Sequence, residues 1–431
     1  MVGDEYKPEL EAAVGTSTKK DAREAGREVA KNTLSKMKSK PDFFLLFPTI
    51  HYESQGGFKE FLSGVWEILP EGTPLIGGTM AGFLNHQGVY ARGATALAVS
   101  YPNMDVTIGY GKNTKRNPKK AARHCSKMLK KGLKNEYDNK VLLSFVSATK
   151  PPSVPGVKSA TVISSRFLAK LMLPMLTFIQ RVFQKGIGRE EEVVEEITRE
   201  LPDYNLIHGS STMGSPYAKN YQFINNSFLK ESVVVLGIES DSPINLNFAT
   251  GAEKSDMTFK ITKISKNKKI VKKINNKPAF TEFLRLMNWP KESIDSVNWT
   301  DTGVRYPIGF EKKGRIMPRP QLMIVGDYLG FLCKIEEKDA FILKMDYNKT
   351  FNAMDEVLIN EKPKLGLFIS CFSQRDLLGI KVFDVQEKLK QYFQGMPFLL
   401  VYTGGEAMYK PNEGLFYLNE AVVSAFFEGA E

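Results

Sequence analysis

Two short stretches near the C-terminus carry the side chains best suited to chemistry. Cys371 and Arg375 follow one apolar run, and Gly405 and Glu406 follow another. A thiol is a nucleophile when it is activated, a guanidinium binds a carboxylate through paired hydrogen bonds, and a carboxylate binds an ammonium group. The pattern predicts either thiol chemistry at Cys371 or a clamp in which Arg375 and Glu406 hold a zwitterion.

The elements around these residues predict how they come together. Residues 365–371 and 398–403 are apolar runs typical of buried strands, and between them Val385, Leu389 and Phe393 follow helical spacing. A strand–helix–strand crossover places both strand ends at one edge of a sheet, where ligands of open α/β sheets collect. We therefore expect a ligand site at that edge.

Simpler roles are open for the same residues. None of the four histidines is placed by the sequence as a base for Cys371, and a lone cysteine is commonly buried and inert. Activation of the thiol by Arg375, which would lower its pKa, is the alternative. Arg375 and Glu406 can also pair with each other instead of holding a ligand. The sequence leaves the clamp and the mutual ion pair open.

Two glycine-containing segments in the first half of the chain have a similar character. Gly77-Gly78-Thr79 and Gly209-Ser210-Ser211 each follow a short apolar run. As tight turns they would expose backbone N–H groups and hydroxyls, which can cradle an anion. Turns that merely need glycine are the alternative. The candidate ligand-binding residues are Cys371, Arg375, Gly405, Glu406, Thr79, Ser210 and Ser211.

These segments together resemble the FIST family of intracellular signal-transduction sensor proteins, with its N-terminal and C-terminal domains. The resemblance rests on Ser370-Cys371 with Arg375 and Leu378-Gly379, on Gly405-Glu406, on Val14-Gly15-Thr16-Ser17, on Pro74 to Thr79, and on Lys277-Pro278-Ala279. The chain differs from the family pattern before Gly405, where it has Leu399-Leu400-Val401-Tyr402 in place of a glycine-rich aromatic turn.

The resemblance implies a cytoplasmic sensory protein that binds an amino acid or a similar small metabolite and signals through a partner protein. We expect no cofactor, but some bacterial relatives resemble haem-based gas sensors, and for that alternative His208 is the candidate haem ligand. A histidine satisfied within the core is the alternative at that position. A ligand-free adaptor and a cysteine-dependent enzyme are the other functions that the sequence leaves open.

Composition and charge narrow the class of protein. The chain has 431 residues, a formal charge of +11 and three widely separated cysteines, which argues against a disulfide framework and a structural zinc site. The excess of lysine and arginine lies in residues 112–140 and 260–277, without the interleaved aromatics of a base-stacking surface. We expect a cytoplasmic protein with a lysine-rich surface and no nucleic-acid partner.

The order of elements predicts an α/β protein with mixed sheets layered by helices. Residues 1–248 read as one domain of two similar halves, and residues 249–431 as a second α/β domain. In the second domain we expect a hairpin over 259–274 and a closing strand over 415–425. The two halves predict an internal duplication whose glycine segments face a shared cleft.

A hydrophobic insertion at about 151–189 interrupts the second half. Its apolar helix, expected over 161–183, has an uncharged stretch too short to span a bilayer. Flanking lysines and arginines allow contact with a membrane surface. A lid over the cleft and a contact within a homodimer are the alternatives.

Overall fold

The computed structural model describes residues 9–148, 162–163, 189–212, 219–294, 298–358 and 363–429. Mixed sheets layered with helices build this part of the chain, which confirms the predicted α/β class. Three of the sheets have six strands each, and each belongs mainly to one of three consecutive units of the chain. A fourth sheet belongs to a module inserted into the third unit.

The first unit spans residues 11–100. Its elements are β1 (Glu11–Ser17), α1 (Ala22–Leu34), β2 (Phe43–Pro48), a 3₁₀ turn (Ile50–Glu53), α2 (Gly57–Trp66), β3 (Leu75–Gly78), β4 (Phe83–Asn85), β5 (Gly88–Tyr90) and β6 (Ala94–Ser100). The helix α1 begins after Asp21, whose carboxylate caps the N–H of Glu24. At Gly26 of α1 the close neighbour is α2, since a Cβ there would lie 2.0 Å from the Phe61 carbonyl oxygen.

The second unit spans residues 104–240 and repeats this order of elements. It consists of β7 (Met104–Lys112), α3 (Pro118–Gly132), β8 (Asn139–Ser147), β9 (Val162–Ile163), α4 (Glu190–Glu200), β10 (Asn205–Ser211), β11 (Gln222–Ile224), β12 (Ser227–Leu229) and β13 (Ser232–Ser240). Apart from β9, the predicted insertion with its helix over 161–183 lies outside the described residues. Val162 and Ile163 were expected to open that helix and instead form a strand.

The third unit spans residues 244–427 and contains the inserted module, residues 253–344. It begins with β14 (Ile244–Ala249). The module consists of β15 (Glu253–Ile264), β16 (Ile270–Ile274), β17 (Lys277–Pro278), α5 (Ala279–Met287), a 3₁₀ turn (Lys291–Ser293), α6 (Asn298–Arg305), β18 (Ile308–Lys312), β19 (Arg315–Arg319), β20 (Gln321–Val325), β21 (Tyr328–Phe331) and β22 (Asp339–Lys344). The expected hairpin is confirmed as the antiparallel pair β15–β16, and β9 adds in parallel to β20.

The remainder of the third unit carries the strand–helix–strand segment singled out in the sequence. Its elements are α7 (Tyr347–Val357), β23 (Leu365–Cys371), α8 (Phe372–Leu378), a 3₁₀ turn (Gly379–Lys381), α9 (Val382–Phe393), β24 (Phe398–Thr403), β25 (Glu406–Lys410), β26 (Gly414–Leu418) and β27 (Val422–Phe427). The strands β23 and β24 pair in parallel, as predicted. The expected single strand over 415–425 is wrong, because Glu420 adopts a left-handed backbone conformation with φ 52° and ends β26 before β27 begins.

The three units share one strand topology. When β9 and the inserted module are set aside, the first strand of each unit pairs with the last, the last pairs with the second, and the second pairs in parallel with the third. Each sheet is then completed by the hairpin of another unit: β11–β12 joins β3, β25–β26 joins β10, and β4–β5 joins β24. The two predicted halves correspond to the first two units, and the C-terminal part of the chain builds a third of the same kind.

The hairpin exchange bears on the predicted domains. β4, from residues 1–248, pairs with β24, and β25, from residues 249–431, pairs with β10. Both predicted domains therefore contribute strands to shared sheets. The division at residue 248 stays a prediction.

The strands place one core at the centre of the molecule and others outside it. Alternate residues of the three sheets, such as Leu45, Leu143 and Leu367, face a single central core. Their neighbours, such as Phe44 and Phe368, face the helices of their own unit. Because these strands are buried on both faces, they read as continuous apolar runs rather than as alternating ones.

Candidate functional site

The three units are tied to one another at the ends of their parallel strands. The N–H of Ala81 donates to the Tyr402 carbonyl (3.0 Å), that of Thr212 to the Thr79 carbonyl (2.9 Å), and that of Gly404 to the Ser210 carbonyl (2.9 Å). In the same order, these equivalent bonds run from the first unit to the third, from the second to the first and from the third to the second. We call this ring, residues 79–81, 210–212 and 402–404, the axial junction.

Glycines allow the units to approach at the junction. A Cβ at Gly78 would lie 2.2 Å from Ser211 Oγ, and one at Gly209 would lie 2.8 Å from Thr403 Cγ2. Both glycines lie within strands, so the interpretation of their segments as turns is wrong. They are needed because the next unit passes too close for a side chain.

The same geometry corrects the expected anion cradle. The N–H of Thr79 donates to the Tyr221 carbonyl (2.9 Å), and that of Ser210 donates to the Gly405 carbonyl (2.8 Å). These donors are used in contacts between units and are therefore not available to bind an anion. The structure nevertheless brings Thr79, Ser210 and Ser211 to one place, together with Gly405.

A cluster of polar side chains borders the junction on the side of the central core. We call Cys371, Thr403, Glu406 and Glu420 the axial carboxyl cluster. Thr403 Oγ1 donates to Glu406 Oε1 (2.7 Å), and Cys371 lies beside Thr403 in the β23–β24 ladder. Glu406 and Glu420 are 0% and 1% exposed. Two carboxyl groups and a thiol are therefore enclosed together.

Burial dominates the electrostatics of this cluster. It raises the pKa of both Glu406 and Glu420 well above the usual value, and for Glu420 the neighbouring Glu406 raises the pKa further. Thr403 opposes this shift at Glu406 by donating a hydrogen bond. Within the described part of the chain neither carboxyl group forms an ion pair, and both carboxyl oxygens of Glu420 lack a hydrogen-bond donor. Such a site favours a neutral carboxyl group or a bound cation.

The thiol is not activated. Burial raises the pKa of Cys371 well above its ordinary value, and the carboxyl group of Glu406 raises the pKa further. Ser373 Oγ donates to the sulfur at 3.0 Å, which only partly offsets the shift. The alternative in which Arg375 lowers the pKa of this thiol does not agree with the raised pKa. All three cysteines are buried and free of disulfides.

Arg375 lies at the same strand edge but has other partners. Its Nη1 donates to the Ala81 carbonyl (2.5 Å), and its Nη2 pairs with Asp376 Oδ1 (2.9 Å). The guanidinium also lies over the Tyr402 ring, 5.9 Å from the centroid. The expected alternative of a mutual Arg375–Glu406 pair is not formed in the structure. A clamp that uses both side chains stays a prediction.

His208 does not fit the role of a haem ligand. It is fully buried, with Nδ1 3.3 Å from Ser144 Oγ and Nε2 3.1 Å from Ser210 Oγ. Both ring nitrogens are thus occupied, and burial lowers the pKa of the imidazole to about 3. The observed geometry is that of a satisfied core histidine. Among the described residues no group of three or more His, Cys, Asp and Glu side chains could hold a metal ion.

Glu420 and Thr403 were not among the candidate residues predicted from the sequence. The signal for Glu420 was a carboxylate in the middle of an apolar stretch, Leu418-Asn419-Glu420-Ala421-Val422, that was read as continuous strand. A charged residue at such a place either ends a strand or serves a buried function, and Glu420 does the first.

No described helix is both long and apolar enough to cross a membrane.

Comparisons with known proteins identify the family. Residues 42–277, more than half of the chain, match the FIST N domain. A search of curated proteins found no match. Among solved structures, a crystal structure of cyanuic acid hydrolase from A. caulinodans aligns with 54% of this chain and 71% of that chain, at 8% identity and a TM-score of 0.29. The chain therefore belongs to the FIST family of signal-transduction sensor domains.

Proposed function

We propose that the protein is a cytoplasmic sensor that binds an amino acid or a similar small metabolite at the axial carboxyl cluster. One observation carries the proposal: Glu420 is buried beside Glu406, and no cation pairs with either carboxyl group in the described part of the chain. A ligand ammonium group would supply the missing donors and the missing charge. Arg375, whose side chain is 27% exposed, would turn from Asp376 to the ligand carboxylate.

Binding of this kind requires the junction to open. A cavity of about 10 Å³ adjoins it, lined by Gly404, Gly405 and Asn419 among others, and this is room for about one water molecule. A metabolite can enter only if the strand ends separate. Because the junction ties all three units, such opening would change their packing and the surface offered to a signalling partner.

A cysteine-dependent enzyme is less well supported than a sensor. Cys371 is buried, its pKa is raised, and its donor is Ser373 rather than a base. Nucleophilic catalysis needs the thiolate, which this environment disfavours. We therefore place the function of the cluster in binding.

The test is a thermal-shift screen of amino acids against the wild type, Glu420→Gln and Arg375→Ala. The exposed Glu136→Gln serves as the matched control. An amino acid at 100 times its dissociation constant stabilises the folded state by about 2.7 kcal/mol. We expect this shift in the wild type and the control and its loss in both Glu420→Gln and Arg375→Ala. A shift of equal size in Glu420→Gln would show that the amino acid does not bind at this site.

A further inference from the structure

Three lysines without partners follow the outer face of α3, and we call Lys120, Lys127 and Lys131 the lysine row. Residues 112–134, which contain α3, hold ten lysines and arginines and no aspartate or glutamate. The side chains of the row are exposed, and among the described residues they form no ion pair and no hydrogen bond. Spacings of seven and four residues place the three ammonium groups on one side of the helix over about 17 Å.

The cations on one flank of the row show what α3 binds. Arg123 Nε lies 2.6 Å from Glu196 Oε1 of α4. One turn further along α4, Glu200 Oε2 lies 2.9 Å from Lys130 Nζ. An acidic helix therefore packs along this flank, with glutamates four residues apart on one face. The lysine row beside it is a surface of the same kind that has no such helix.

The positions of the lysines are costly for α3 itself. Lys119 and Lys120 lie in its first turn, where there is no acidic residue. The helix dipole disfavours cations at this end. Like charges four residues apart, as at Lys127 and Lys131, also destabilise a helix. An anionic partner would remove both penalties.

The surroundings of the row favour carboxylates over phosphates. A helix that binds a lipid surface inserts apolar side chains, but those of α3 are buried or half-buried. Single-stranded nucleic acid stacks on exposed aromatic rings, but Tyr110, which adjoins α3, is half-buried against His124. Arginine is the residue suited to bidentate contact with phosphate, and the row contains lysine alone.

The protein itself is a poor source of the acidic partner. Its formal charge of +11 makes two copies repel each other. Residues 149–188, most of which lie outside the described ranges, contain six lysines and arginines and no aspartate or glutamate. The charge complementary to the row therefore belongs to a different protein.

We propose that the lysine row binds a glutamate-rich helix of a partner protein, which packs along α3 as α4 does on the other flank. Glutamates repeated every three to four residues present one acidic face to the three ammonium groups. The inference rests on the proposed function for its signalling role, because it names the surface that the partner contacts. Binding of an acidic helix does not itself require a ligand at the axial carboxyl cluster.

The probe is a labelled peptide of three copies of Glu-Ala-Ala-Ala-Glu-Ala-Ala, and the control peptide has glutamine in place of every glutamate. Fluorescence anisotropy measures binding at about 0.15 M salt, which screens distant charges more than close pairs. Two variants each lose three exposed lysines: the α3 variant loses the lysine row, and the hairpin variant loses an equal charge from β15–β16. They are Lys120→Gln/Lys127→Gln/Lys131→Gln and Lys263→Gln/Lys266→Gln/Lys273→Gln.

We expect the wild type and the hairpin variant to bind the acidic peptide alike. The α3 variant should bind it about tenfold more weakly, because three exposed ion pairs of modest strength are lost. The glutamine peptide should not bind. No binding by the wild type, equal binding by the α3 variant, or an equal loss in the hairpin variant would overturn the proposal.

Oligothymidylate and vesicles of phosphatidylcholine with phosphatidylserine are the competing probes. If either binds the wild type more tightly than the peptide does and loses this binding in the α3 variant, the row binds phosphates and the proposal is overturned. The amino-acid screen tests the proposed function separately, since it is read from the melting temperature without any peptide. A failed screen with intact peptide binding would overturn only the ligand, and the reverse result would overturn only the lysine row.

Discussion

Glu420 combines two features that cost stability. Its backbone has φ 52°, a conformation that side chains other than glycine, asparagine and aspartate rarely adopt, and its carboxyl group is enclosed without a donor. Structural residues rarely carry both, because each alone costs on the order of 1–3 kcal/mol. We therefore expect that Glu420 destabilises the fold and is retained because the function of the protein requires it.

The raised pKa of Glu420 predicts how the free energy of unfolding changes with pH. A carboxyl group whose folded pKa exceeds its unfolded value stabilises the folded state below the unfolded pKa, and this contribution is lost as pH rises through the folded pKa. Above about pH 4.5 the wild type should lose about 1.4 kcal/mol per pH unit from this group until its folded pKa is reached. Glu420→Gln, which cannot ionise, should lack that loss.

Urea unfolding at pH 5, 6 and 7 measures this difference. The stability of Glu420→Gln relative to the wild type should increase with pH, while the exposed control Glu136→Gln should follow the wild type. Parallel curves for the wild type and Glu420→Gln would show that the carboxyl group is solvated or paired in the native protein. Glu406 also has a raised pKa, and because it interacts with Glu420, its own pKa is raised less when residue 420 is neutral, which adds to the difference in the same direction.

At the scale of the elements, two glycines of the junction differ in what surrounds them. A Cβ at Gly209 would lie 2.8 Å from side-chain atoms of both Thr403 and Ile369, whereas the nearest atom to a Cβ at Gly405 would be 3.7 Å away. Gly209→Ala should therefore force β10 from β24 and cost about 1–3 kcal/mol. Gly405→Ala should be tolerated.

Thermal unfolding of the two alanine variants checks this prediction and separates two roles for glycine. A large loss of stability for Gly405→Ala would mean that atoms lie closer to residue 405 than the structure shows. Gly405→Ala could also be stable while its melting temperature no longer rises when an amino acid is added. In that case Gly405 is needed for the ligand to enter the site. Equal stability of Gly209→Ala and the wild type would contradict the close approach at the junction.

The elements that the sequence predicted are those with strong local patterns. The parallel pair around Cys371 was predicted because both strands are buried on both faces and the intervening helix keeps helical spacing. Two of the three exchanged hairpins were not predicted because their strands, β4, β5, β11 and β12, have three residues each and pair with strands that are distant in the sequence. Short strands lack a period that sequence can reveal.

The candidate site was predicted in part for the same reason. Polar residues at strand ends were expected to gather, and Thr79, Ser210 and Gly405 do so at the junction. The direction of Arg375 could not be inferred, because it depends on the Ala81 carbonyl, which the exchanged hairpin of the first unit delivers. Contacts made by exchange are long-range, so local patterns do not encode them.

At the scale of the whole molecule, the exchange makes the three units depend on one another. Residues 1–248 contain β10, whose outer partner β25 lies in residues 249–431, and they export β4, whose partner β24 lies there too. Expressed alone, residues 1–248 would leave one sheet incomplete and one hairpin unpaired. Exposed edges of this kind lead to aggregation or to incomplete folding.

We therefore expect residues 1–248 to be insoluble or to lack cooperative unfolding when produced alone, and residues 249–431 to behave likewise. Co-expression of the two pieces should restore a soluble one-to-one complex, which gel filtration and far-UV circular dichroism can detect. A cooperative, monomeric 1–248 fragment would instead support two independent domains. In that case a ligand at the axial carboxyl cluster would not be expected to change the packing of all three units, because residues 1–248 would keep their structure without the hydrogen bonds that the junction forms to residues 402–404.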